Sequence, residues 1–192
     1  KLVRASYEDS LAETRRAAND VTLWCHSYSV ATLYKTSLAT LLVNGKLDIN
    51  NLRWRLLRVN FDVLGLYAKA VKIADLLGYR RAVDDACAAV KQLVEEEYPL
   101  GNEVYRDTTG IYFTFPDLDL PADLAQEIRR LVEGVDKELA PRIVVTLGDG
   151  ATAAEQLKGI LGKARKEALD VLAQPFDSQN LSACWQQQWT RG

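Results

Sequence analysis

The chain has 192 residues, 48% of them hydrophobic, a length that suits one domain or one domain with part of a neighbour. It carries 24 Lys and Arg against 26 Asp and Glu, a formal charge of −2. That balance excludes a binder working through bulk positive charge, so any RNA contact has to come from a local patch.

Residues 2–18 are rich in Ala and paired charges, hold no Gly or Pro, and read as a helix. Asn19 and Asp20 are suitable N-caps for a second helix over about 21–43. Its apolar positions Leu23, Val30, Leu33, Tyr34, Leu38, Leu41 and Leu42 fall mostly on one side, and Asn44-Gly45 stops it. Leu52 to Phe61 is rich in β-formers and predicts a strand. Helical spacing returns from Val63 to Leu77, closed by Gly78, and again from Arg80 to Tyr98, ended by Pro99 and Gly101. Glu103 to Tyr105 and Ile111 to Phe115 flank the turn Arg106-Asp107-Thr108-Thr109-Gly110 and predict a hairpin. Pro121 starts a helix that runs to about Leu139, and Ile143 to Leu147 reads as a short buried strand. Gly148-Asp149-Gly150 then turns into a long amphipathic helix, about 152–173, broken by Pro175 and followed by a helical tail from Ser178.

The expected order over residues 52 to 147 is β-α-α-β-β-α-β, an α+β split βαβ, ferredoxin-like arrangement with an extra helix before the hairpin. Three segments are expected: a helical flank over 1–46, a core domain over 50–148 and a second helical flank over 151–192. Cys25, Cys87 and Cys184 are odd in number and lack Cys-x-x-Cys spacing, which argues against a disulfide framework or a zinc site and fits a reducing, cytoplasmic setting. No signal peptide is evident. The longest apolar stretch, Val21 to Val43, holds His26, Lys35 and several Ser and Thr residues, and reads as a soluble helix and not a membrane span. The start at Lys1 and the absence of Met lead us to expect a piece of a larger protein.

A polar strand end, a long helix and a hairpin in this order resemble the palm shared by diguanylate cyclases, class III nucleotidyl cyclases and type III CRISPR large subunits. The flanks favour the last. Leu23-Trp24-Cys25-His26-Ser27 is similar to a Leu-Trp-Asp-His-Ser segment at the end of that subunit's permuted HD nuclease domain, with Cys25 in place of the usual Asp. Gly65 to Leu77 resembles the first-palm helix, and the Trp185 to Trp189 tail resembles the stretch before the family's zinc ribbon. The resemblance implies antiviral defence in the cytoplasm. It implies ATP with Mg or Mn as cofactors of the parent, and no cofactor firmly for this piece. The partners implied are other subunits of the effector complex, with guide RNA and target RNA reached through the parent, and no membrane.

Active palms hold two divalent metals on carboxylates at the first strand end and at the hairpin turn. Here the strand ends Asn60-Phe61-Asp62 and the turn reads Asp107-Thr108-Thr109-Gly110, without an adjacent acid pair. No catalytic residue is therefore assigned, and the resemblance makes Asn60, Phe61, Asp62, Asp107, Thr108 and Thr109 a nucleotide-facing surface. The alternative is an ordinary strand end and a turn in which Asp107 and the threonines cap the backbone. His26 matches a metal-ligand histidine of the HD domain, but it also suits a partly buried helix histidine. Gly148-Asp149-Gly150 before a helix hints at a phosphate turn, although Asp149 would repel phosphate and a capped turn is the plainer reading. Arg53, Arg55, Arg58, Arg80 and Arg81 would form a basic surface or a face paired to acids. Trp185 and Trp189 share a helix face at i, i+4 spacing and suit packing over base stacking.

Overall fold

The computed structural model of the protein describes residues 2–11, 21–148 and 153–172. Within them the chain is α+β, with six α-helices and one four-stranded sheet. The helices are α1 (Leu2–Glu8), α2 (Leu23–Asn44), α3 (Val63–Ala68), α4 (Ile73–Gln92), α5 (Ala122–Val135) and α6 (Ala153–Leu172). The strands are β1 (Arg55–Asn60), β2 (Glu103–Asp107), β3 (Gly110–Phe115) and β4 (Arg142–Leu147). They lie in the order β2-β3-β1-β4, antiparallel throughout. Chain passages through α3–α4 and through α5 join β1 to β2 and β3 to β4.

The two central strands are covered on both faces, because side chains alternate along a strand. On one face Leu57 and Val59 of β1 and Ile111, Phe113 and Phe115 of β3 pack with Val90 and Val94 of the α4 region and with Leu124, Ile128 and Val132 of α5. This is the main core. On the other face Leu56 and Tyr112 pack against Ile160 and Ala164 of α6. The edge strands behave differently. β4, expected to be a buried strand, alternates exposed and half-buried residues apart from buried Thr146, because it closes one side of the sheet.

Four helical expectations need correction. The first helix, expected over residues 2–18, ends at Glu8, and Leu11 bridges Thr22. The helix expected over Val63 to Leu77 is two helices, and Gly78 lies inside α4 instead of ending one. The physical reason is capping: Asp62 Oδ1 accepts the Gly65 N–H at 2.9 Å and starts α3. Asp75 Oδ2 then accepts the N–H groups of Val71 and Lys72, which starts α4 afresh. The helix expected to reach Tyr98 leaves α geometry at Leu93 for one π-helical turn, Leu93–Glu97. The one expected to reach Leu139 ends at Val135 and is followed by a 3₁₀ turn, Lys137–Leu139.

The largest departure concerns α2. Thr22 caps its start, its side chain accepting the Cys25 N–H at 3.2 Å, and Gly45 closes it at φ 70°. Its buried residues are Thr32, Thr36, Ala39 and Thr40, not the predicted apolar series. Tyr34 is 70% and Leu42 76% exposed. Thr36 Oγ1 bonds both the Thr32 carbonyl and Thr114 Oγ1 of β3, each at 2.9 Å. Lys35 Nζ donates to the Glu95 carbonyl and to Asn102 Oδ1. A polar seam thus joins α2 to the sheet, because the sheet face it meets is itself polar at Thr114.

Glu103 anchors this end of β2. Its carboxylate takes Lys91 at 2.8 Å and Arg106 at 2.9 Å, its N–H donates to Glu95 Oε1, and its carbonyl accepts the Tyr28 hydroxyl. Burial pushes its carboxyl pKa up, but the hydrogen bonds from Arg106 and Lys91 outweigh that and hold it below the ordinary value of 4.5. A lowered folded pKa means the contribution is complete above the ordinary value and is lost as pH falls through the folded one. Glu103→Gln should therefore flatten the acid limb of Tm against pH below about pH 4.5, with little change in its shape near neutrality. A thermal-melt series over pH checks this.

Candidate functional site

The hairpin brings the two halves of the predicted site together. In register Asn60 stands opposite Gly110 of β3 on one side and Arg142 of β4 on the other. The Phe61 N–H donates to the Thr109 carbonyl at 2.8 Å, and Asn60 Nδ2 donates to the same carbonyl at 3.3 Å and to Tyr112 Oη at 3.2 Å. The end of β1 is therefore held against the hairpin turn by backbone and side chain alike. Gly110 makes the approach possible: a Cβ there would collide with the Val59 carbonyl and stand 2.8 Å from the Asn60 Cα.

Every residue of this predicted surface except Thr108 also has a structural task. Asn60 is buried and spends both amide hydrogens as described. The Phe61 side chain points into the main core and not toward a ligand. Asp62 caps α3. Asp107 Oδ1 accepts the Thr109 N–H at 2.8 Å and the Thr109 hydroxyl at 2.6 Å, while Oδ2 faces Arg165 Nε at 3.4 Å. Asp at the first position and Gly at the fourth suit a type I turn, and neither Thr108 nor Thr109 has positive φ. Thr108 is exposed.

The sheet face carrying Asn60 also carries Arg58, expected on a solvated surface, either basic or paired to acids. Arg58 is 5% exposed. Its Nη1 donates to the Ala164 carbonyl at 2.9 Å, and its Nη2 meets Glu167 at 3.2 Å. Glu167 also accepts the Thr146 hydroxyl at 3.0 Å. Nε of Arg58 has no acceptor, the single buried side-chain donor or acceptor among the described residues left so. A buried donor without a partner costs about 1–3 kcal/mol. Next to this group, Arg165 stacks 5.1 Å from the Tyr105 ring, which meets Tyr112 edge-on at 5.5 Å.

Arg58, Asn60, Phe61 and Asp62 share a cleft of about 180 Å³ with Ala140, Arg142, Val144 and Ala168. Arg142 is exposed, and its side chain makes no hydrogen bond or ion pair among the described residues. Sequence reading missed it because its neighbours come from strand order, which pairs it with Asn60. Arg58 had a local signal: a charge between Leu57 and Val59, in phase with Leu56 and Asn60.

The remaining candidates separate. Arg55 pairs with Asp117 at 2.8 Å and Asp119 at 2.7 Å. Arg58 is buried beneath α6, whereas Arg80 and Arg81 stand exposed on α4, across the sheet. The five arginines thus make no single surface. His26 is exposed in the first turn of α2. Among the described residues no three His, Cys, Asp or Glu side chains gather in a way that could hold a metal ion. Asp62 and Asp107, tied to backbone groups and to Arg165, do not fit a two-metal centre. Burial pushes the Cys87 thiol up to about 11, so it is neutral and unreactive near pH 7. Asp149, Gly150, Cys184, Trp185 and Trp189 lie outside the described residues.

No family model, curated protein or solved structure matches the chain. No helix among the described residues is long and apolar enough to cross a membrane.

Proposed function

We propose that the chain is a degenerate first palm with its flanks, part of the large subunit of a type III CRISPR effector complex acting in the cytoplasm in antiviral defence. The observation that carries this reading is the β1 end clamped to the hairpin turn through Phe61 N–H and the Thr109 carbonyl. The strand order β2-β3-β1-β4 and the two helical passages support a ferredoxin-like palm. In an active palm those two loci would supply metal-binding acids. Here Asp62 and Asp107 are engaged in caps and an ion pair, so this palm contributes shape and charge to a cleft and no metal chemistry of its own. The parent would complete that cleft with a second palm, use ATP with Mg or Mn to make cyclic oligoadenylates, and bind guide and target RNA with other subunits.

The chain incubated with ATP and Mg²⁺ or Mn²⁺ should give no linear or cyclic oligonucleotide, and Asp62→Ala should leave that result unchanged. Product formation abolished by Asp62→Ala would overturn the reading. Tight ATP binding in calorimetry would instead favour a nucleotide-sensing module. A structural interaction domain is the second reading, favoured by the exposed apolar series Tyr34, Leu38, Leu41 and Leu42 along α2.

A further inference from the structure

We propose that the cleft between β1, β4 and α6 binds a phosphate group, through Arg58 and Arg142. The two arginines approach it from adjacent strands, with Arg58 opposite Val144 and Asn60 opposite Arg142 in the β1–β4 register. Arg58 lines the cleft, its guanidinium is almost wholly buried, and its Nε–H has no acceptor. Its one acidic partner, Glu167, is 38% exposed at the side chain and shares the same oxygen with Thr146. Arg142 adds a second guanidinium, which makes no ion pair among the described residues. Planar guanidinium groups match phosphate oxygens in geometry and stay charged at any working pH.

Asp62 is the only acid in the lining among the described residues, and its Oδ1 is occupied by the Gly65 N–H. The described lining therefore carries two arginines and one aspartate, with Glu167 paired to Arg58 beside it. Ala140, also in the lining, has φ 32°, the one non-glycine among the described residues with positive φ. Such backbone outliers collect at ligand sites, where surrounding structure holds them. At about 180 Å³ the cleft falls below the size of a typical small-molecule pocket, about 300–1,000 Å³. It admits one phosphate group and leaves any base and ribose outside. That the phosphate belongs to a nucleotide rests on the palm reading above; the oxyanion site does not.

The test follows the Arg58 Nε–H resonance of the full chain during metal-free titration with inorganic phosphate, pyrophosphate and ATP, with acetate as a carboxylate control. A saturable shift with phosphate or pyrophosphate is expected, weakened at least tenfold by Arg142→Gln and unchanged by Arg53→Gln on another part of the surface. Pyrophosphate binding without even weak ATP binding would uphold the oxyanion site and sink the nucleotide reading. ATP binding indifferent to Arg142→Gln would do the reverse. The absence of any saturable shift, an equal loss in Arg142→Gln and Arg53→Gln, or tighter binding of acetate than phosphate would overturn the proposal.

Discussion

Gly110→Val should destabilise the protein by about 3 kcal/mol or more, one of the largest single-residue effects expected here. Two costs add. Gly110 sits at φ 153°, a conformation that a β-branched residue resists. Its Cβ would also meet backbone, the Val59 carbonyl and the Asn60 Cα, and not the yielding end of a side chain. The clash falls between the two central strands, so relief has to separate β1 from β3 or shift their register. Urea denaturation measures the loss. A change below about 1 kcal/mol would mean that the strands part more easily there than the close approach implies. The same variant should disturb the phosphate cleft, since Asn60 is the residue pushed.

Glu167→Ala should cost about 2 kcal/mol, whereas Arg58→Met should leave stability within about 1 kcal/mol of the parent chain or raise it. The asymmetry comes from desolvation. Removing the acid strands a buried guanidinium; removing the guanidinium lets an apolar chain of similar length lie against Leu56, Tyr112 and Ile160, the cluster that borders it. The figure for Glu167→Ala is kept below that for a fully buried pair because Glu167 is 38% exposed and its loss can be softened by water. The double variant should be more stable than Glu167→Ala alone, which a double-mutant cycle reads directly. If Arg58→Met were the costlier change, the arginine would be a structural strut. If it is neutral, folding does not need the charge, and the reason for it lies in the cleft.

Much of the element order was legible from residues 52 to 147. Leu56 to Asn60, Ile111 to Phe115 and the Asp107 to Gly110 turn carry their own local signals of β-branched and aromatic runs around a tight reversal. The contact between Asn60 and the turn was also within reach, since a hairpin beside β1 has to place them near each other. What stayed hidden depended on partners distant in sequence. The apolar positions of α2 obey helical spacing, yet the sheet meets the threonine side, because Thr114 offers hydroxyl chemistry at that contact. Gly78 looked like a stop because its neighbour in sequence is a polar helix start; Asp75, capping the new helix three residues earlier, overrides it. Arg142 carried no local signal at all. Its meaning comes from lying across β1, which only strand order decides.

The threonine seam on α2 has a consequence for orientation. A greasy stripe holds a helix by buried area and shape, because the hydrophobic effect itself has no preferred direction. A row of hydroxyl bonds has one. Thr36 reaches Thr114, Asn102 reaches Thr32, and the Thr40 hydroxyl faces the Asp117 N–H, so the rotational setting of the helix is keyed by direction at three successive turns. With the polar teeth engaged inward, Tyr34, Leu38 and Leu42 stand outward, and their placement on the surface follows from the hydroxyl bonds on the opposite side of the helix.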